Sequence, residues 1–255
     1  MARRLRLFAG TFGIASVLVL LVACGGAGAG GSGTPDGAGE PSGLGENFTL
    51  PAGTIADFPG GFGQARVELQ DRKGNTLHTY GPVSISGGTF PGLNVTAPPA
   101  GDLIPWTEIK AMLEAQIALF YSTGDIDLSV TDNDLMGQLI LGLYLEGGDG
   151  WTPEPYMFRG DKDSDELVLW TYADRDATVT GSGSYSNAIN DSITLIIGVE
   201  VDIALIAGWN RVSSYTSLTI VDQGDGQFDY LIDVDIVSGP EPDGLTWYYD
   251  NDPPS

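Results

Sequence analysis

Through most of the chain after Ala65, apolar and polar residues alternate with a period of two, and no other feature restricts the fold as strongly. The alternation is seen in ARVELQ (Ala65 to Gln70), TLHTY (Thr76 to Tyr80), LNVTA (Leu93 to Ala97) and IDLSVT (Ile126 to Thr131). Further strand signals are LILGLYLEG (Leu139 to Gly147), ELVLWTYA (Glu166 to Ala173) and ATVTGSG (Ala177 to Gly183). The longest runs come last: ITLIIGVEVDIALI (Ile193 to Ile206), NRVSSYTSLTI (Asn210 to Ile220) and FDYLIDVDIV (Phe228 to Val237). Successive strand side chains point to opposite faces, so each run offers one face to a core and the other to water. Gly, Asp and Pro punctuate the runs, as DRKGN does between the first two. The pattern predicts a mainly β body, an antiparallel sandwich or barrel.

One segment has the helical period instead. In PWTEIKAMLEAQIALFYSTG, Ile109, Met112, Leu113, Ile117 and Phe120 share a helical face, Thr107 can cap the start and Gly124 follows the end. One amphipathic helix over about 107–121 is therefore expected to pack on the sheet or to join two β-rich parts. The proline-rich TAPPAGDLIPW just before it predicts a boundary between a small β unit, 46–100, and a larger helix-plus-β unit, 101–255. A unit of about 55 residues is marginal by itself, so one continuous domain over 46–255 is the competing division.

The chain starts with Arg3, Arg4 and Arg6 and then runs apolar from Leu7 to Ala23. These are the basic and apolar regions of an export signal, 1–23, and the apolar run is short for a permanent membrane span. It ends in Leu21-Val22-Ala23-Cys24-Gly25, and Cys24 is the only cysteine. This resembles the lipobox of bacterial lipoproteins. The resemblance implies that the Cys24 thiol carries a diacylglyceryl group, that cleavage falls just before it, and that acylation of the new amino terminus completes a membrane anchor. Two or more chains, at about 0.8 kcal/mol per buried methylene, hold a protein stably. A lone cysteine flanked by Ala23 and Gly25 has no activating base beside it and no disulfide partner. In hosts with two membranes an aspartate after the cysteine resembles an inner-membrane retention signal, so Gly25 points to the outer membrane.

Residues 25–45 hold ten glycines and almost nothing apolar. Such a segment cannot offset the entropy of ordering and reads as a disordered tether with a reach of about 25 Å. The whole chain carries 11 Lys and Arg against 34 Asp and Glu, a net charge of −23, and loss of the signal makes it more acidic. Nucleic acid is excluded as a partner because nothing neutralises phosphate. The membrane is met through the lipid anchor, and an envelope glycan or protein is the remaining partner class.

Candidate chemistry is sparse. His78, the only histidine, falls in mid-strand with no G-x-S-x-G elbow elsewhere, which removes the usual histidine-dependent hydrolase. Asp161, Asp163 and Asp165 in RGDKDSDEL alternate as calcium ligands would, yet an EF-hand counted from Asp161 finds Glu166 where glycine belongs and Tyr172 where glutamate belongs. These three aspartates are the candidate metal site, with calcium as the one cofactor considered. Trp151 in GGDGWTPEPY and Trp247 in GLTWYYDND, each close to carboxylates, are the candidate surface rings for a sugar.

The body also resembles a group of uncharacterised β-rich bacterial envelope lipoproteins. The likeness lies in GGTFPGLNVTAPPAGDLIPW, in YADRDATVTGSG followed by VEVDIALIAGWNRV, and in GLTWYYDN. It implies a surface lipoprotein and supplies no catalytic residue. The expectation is a lipid-anchored envelope protein with a non-enzymatic structural or binding role. A carbohydrate-binding or glycan-acting protein and a calcium-stabilised adhesion module are the alternatives.

Overall fold

The computed structural model describes residues 39–56, 58, 63–71, 73–111, 123–140, 142–146, 156–161, 166–241 and 244–249. The structure is mainly β, with a sandwich-like sheet body and at most one helix. The N-terminal strands are β1 (Gly43–Gly45), β2 (Phe48–Leu50), β3 (Gly53–Ala56), β4 (Gln64–Gln70), β5 (Thr76–Ser84), β6 (Thr89–Phe90), β7 (Leu93–Val95) and β8 (Ile104–Pro105). After them come β9 (Thr123–Val130), β10 (Met136–Ile140), β11 (Leu143–Glu146), β12 (Tyr156–Asp161) and β13 (Glu166–Ala173). Four long strands follow, β14 (Ala177–Asn190), β15 (Ile193–Leu205), β16 (Gly208–Gly224) and β17 (Gln227–Ser238), and then the short β18 (Thr246–Tyr249). The expected helix is seen over residues 106–111, and its remainder lies outside the described residues.

Sixteen strands form one hydrogen-bonded sheet whose main path is β5-β4-β11-β12-β13-β16-β17-β15-β14-β9. The anticipated DRKGN hairpin joins β4 to β5, with Asp71 Oδ1 accepting from the Lys73 and Asn75 amides and Gly74 at a φ of 78°. Most pairings are antiparallel, as the alternation predicted, but β15 runs parallel to β17 and β18 parallel to β3. The β15–β17 pairing follows from topology. The β16–β17 hairpin folds back so that β17 slips between β15 and β16, which are neighbours in sequence. Strands from 46–100 pair with β11 and β18, from 101–255, in the same sheet.

The register assigns every side chain of the long strands to one of two faces. On one face the second core gathers Val179, Tyr185, Ile197, Val199, Val201, Ile203, Val212, Ile232 and Val234 beneath Trp106 and Ile109 of the helix start. We call this the helix face. On the opposite face, Val168, Trp170 and Tyr172 of β13 and Trp209 of β16 meet Val67, Leu69 and Tyr80 of the β4–β5 hairpin. The sheet curls through β11 and β4 to cover this roofed face at one end, which gives the sandwich. β13 and β16 feed both cores, and this explains why seven of the eight residues flanking the Trp170–Arg211 pairing level, from Val168 to Tyr172 and from Trp209 to Ser213, show little water contact.

The chain passes from β15 to β16 by arching over the end of β17. Asn210, fully buried, holds this arch: its Oδ1 accepts from the Ile206 amide at 2.9 Å, and its Nδ2 donates to the Ile206 and Gly208 carbonyls. Ser238 at the end of β17 accepts from the Ala204 amide and ties the strand beneath. Gly208, at a φ of 104°, leaves only 2.8 Å between a hypothetical Cβ and the Gly45 backbone, so no larger residue fits where β1 crosses. Each buried polar group left without a partner costs about 1–3 kcal/mol. Replacing Asn210 with Ala is thus expected to lower unfolding free energy by at least one such increment, measured by urea denaturation, whereas Asn187→Ala on the far part of β14 should change it little.

Candidate functional site

The structure treats the sequence candidates very differently. Cys24, Trp151, Asp163 and Asp165 lie outside the described residues. Of Asp161 only the backbone is described, ending β12 opposite Glu166. Among the described residues no group of three or more His, Cys, Asp or Glu could hold a metal ion.

Trp247 corrects the expectation of a surface ring. It has no solvent exposure, because β18 is enclosed between β12 and β3 and carries the indole into the roofed core. Its Nε1 donates to the Pro51 carbonyl at 2.8 Å, and the ring stacks on Trp170 with 5.9 Å between centroids. Phe90 meets it edge-on, and the Arg159 guanidinium lies over it at 5.8 Å. Gly53 admits the indole, since a Cβ there would stand 3.2 Å from Trp247 Cδ1. A sugar cannot reach this ring. The nearby Asp243, Asp250 and Asp252 made GLTWYYDND look like an exposed tail, and only the parallel pairing with β3 reveals the burial.

His78 has a partner that sequence reading could not supply, from a residue 24 positions away. Its Nδ1 lies 3.5 Å from Asp102 Oδ2, and its ring meets Tyr80 edge-on. The Tyr80 hydroxyl donates to the Thr96 carbonyl, as does Trp209 Nε1, and burial pushes the phenol up to about 12. Tyr172 is likewise pushed up to about 12 by burial and by the Glu46 carboxylate that its hydroxyl bonds. Both phenols stay protonated and hold loops onto the core.

The buried cations are also engaged in structure. Arg159 and Arg211 converge on Glu241, and Arg211 further donates to the Gly239 carbonyl. Burial lowers the Arg211 pKa, with the Glu241 carboxylate opposing that shift. This cluster pins residues 239–241 to β12 and β16.

What remains is the part of the roofed face beyond the β4–β5 cover, most of whose described carboxylates are exposed. The register lays Asp127, Ser182, Glu200, Asp235, Tyr215 and Glu166 in one row across the strands. The next row toward the hairpin turns holds Ser184, Gly198, Asp233 and Ser217. The row on the other side holds Thr180 and Asp202. Glu200, Asp202 and Asp233 are exposed, and the Asp233 carboxylate leans over Gly198, where a Cβ would be 2.9 Å from Oδ1. Tyr215, next to last in the row, is buried and is pushed up to about 12 by that burial and by Glu166. Between Asp176 and Pro240 the sole basic residue is Arg211. Strands stand about 4.8 Å apart, so these carboxylates repel across the sheet and favour cations in solution or a basic surface. Alternation showed which residues share a strand face, but only the register brings Glu200 beside Asp235.

No family model, no curated protein and no solved structure matches the chain.

Two outcomes follow from this geometry. Trp247→Ala should lower stability by about 3–5 kcal/mol in chemical denaturation, the usual loss for a buried tryptophan. Glu200→Gln should raise the melting temperature at low salt by about 1–3 °C, and added NaCl should remove that difference, because screening relieves the same repulsion.

Proposed function

We propose that this protein is a lipid-anchored envelope protein with a non-enzymatic binding or structural role, held to a membrane through Cys24 and presenting a long acidic sheet away from it. The observation that carries the reading is where the tether meets the fold. The Gly39 amide donates to the Ser238 carbonyl, Ser42 Oγ bonds the Arg211 carbonyl, and β1 pairs with the start of β16 at Gly43–Asn210 and Gly45–Trp209. All of these contacts are at the arch end. From Asn210 to the turn at Gly224 the strand advances about 45 Å, at about 3.3 Å per residue. A chain anchored ahead of Gly39 therefore carries the hairpin turns on the far side of the molecule from its tether, with the acidic rows running outward from Asp202, which lies beside Gly39. Signal, lipobox and glycine segment support the anchor.

The test is metabolic labelling with an alkyne fatty acid followed by membrane fractionation. Wild type is expected to take the label and to sediment with membranes. Cys24→Ala is expected to lose the label entirely, and equal labelling of the two proteins would overturn the anchor.

A further inference from the structure

We propose that the hairpin end of the helix face is a docking surface for a protein segment that is apolar on one side and basic around it. Four large apolar side chains are markedly exposed among the described residues, and three of them gather at this end: Ile189 at 38%, Ile220 at 51% and Phe228 at 36%. The fourth, Ile206, belongs to the arch at the opposite end. Scattered exposed apolar residues mean little, whereas a contiguous patch marks an interaction surface.

The register makes this a patch. Phe228 pairs with Ile193 of β15, and Ile220 pairs with Tyr230, which puts Ile220 diagonally beside Phe228 on the same face. The bulge between Ala188 and Asn190 sets Ile189 next to Ile193. The side chains thus continue the apolar column of the second core, Val234 and Ile232 through Tyr230 to Phe228, beyond the point where that core is buried. Burial falls steadily along this column, so the strands extend a core-like face into solvent.

The rim names the occupant. Asp191 lies in one turn, and Asp222 and Asp225 lie in and beside the other; all three are exposed. Asp222 accepts from the Gly224 amide, and Asp229 accepts from Gln223 Nε2. No lysine or arginine occurs from Val212 to Pro240. A second copy of the chain would bring the same carboxylates against these, and an anionic bilayer would repel them, so both are disfavoured. Apolar side chains surrounded by Lys or Arg match both the patch and its rim. This goes beyond the anchoring proposal and does not depend on it.

The experiment uses the full chain in lipid-free buffer and two fluorescent peptides of identical Leu and Lys content. One places all its leucines on a single helical face and the other has them scrambled. Fluorescence anisotropy is expected to show binding of the amphipathic peptide, weakened about tenfold by Phe228→Ser or Ile220→Ser, as for a hot-spot residue. Asp222→Asn combined with Asp225→Asn should weaken it further as well as flatten its salt dependence. Ile206→Ser, equally exposed but at the other end, should leave binding unchanged, and circular dichroism melts should show every variant folded. Equal binding of both peptides, or binding unaffected by Phe228→Ser, would overturn the proposal. So would self-association in ultracentrifugation, or binding to added phosphatidylcholine vesicles, that Phe228→Ser abolishes, since the patch would then serve a second copy or a bilayer.

Discussion

The pairing of β13 with β16 is the interaction on which the molecule depends, because over the paired stretch both strands are covered on both faces. Trp170, Tyr172 and Trp209 project into the roofed core, while Ala173 and Val212 project into the core under the helix start. A strand with one wet face loses one set of contacts when it slips; here a one-residue slip would exchange the contents of two cores. The N-terminal hairpin on one side and the long strands on the other are positioned by this ladder, and neither has a core without it. Trp247, stacked on Trp170, fastens the last strand to the same place.

The two faces of the long strands have opposite chemistry beyond the shared core. The roofed face becomes a field of hydroxyls and carboxylates once the β4–β5 cover ends, and the helix face stays apolar until it reaches solvent at Phe228 and Ile220. An exposed sheet of this length invites aggregation, and rows of like charge are one means of preventing it. The same rows give the surface a strong negative potential. The arch held by Asn210 and residues 39–45, which cross it, stand at the other end, so the described N-terminus and the hairpin turns lie at opposite ends of the long strands.

Much of the strand content was legible in advance because alternation is a local signal. The runs at Ala65, Thr76, Glu166, Ile193 and Phe228 become strands close to their anticipated limits. β14 extends beyond its anticipated run to Asn190: Ser184, Ser186 and Asn187 are polar on both sides of the period and give no pattern, yet Ser184 and Ser186 pair with both β15 and β9 and Asn187 pairs with β15. β12 and β18 were invisible since each is short, and β18 owes its existence to β12 and β3, which are distant in sequence. For the site, Trp247 was misjudged from its acidic neighbours, and the Asp102 that faces His78 could not be inferred at all.

The sequence by itself determined the class of the fold, the acidic character of the surface, the absence of any intramolecular disulfide and the presence of a lipobox-like segment ahead of a glycine-rich stretch. Each of these is set by composition or by neighbours along the chain. Tertiary structure alone decided that β17 lies between β15 and β16, that Trp247 is interior, that the carboxylates of four strands stand in rows, and that Ile189, Ile220 and Phe228 share one end. The reason is that strand pairing joins residues with no local relationship, and a period of two specifies which face a side chain takes but not which strand lies beside it.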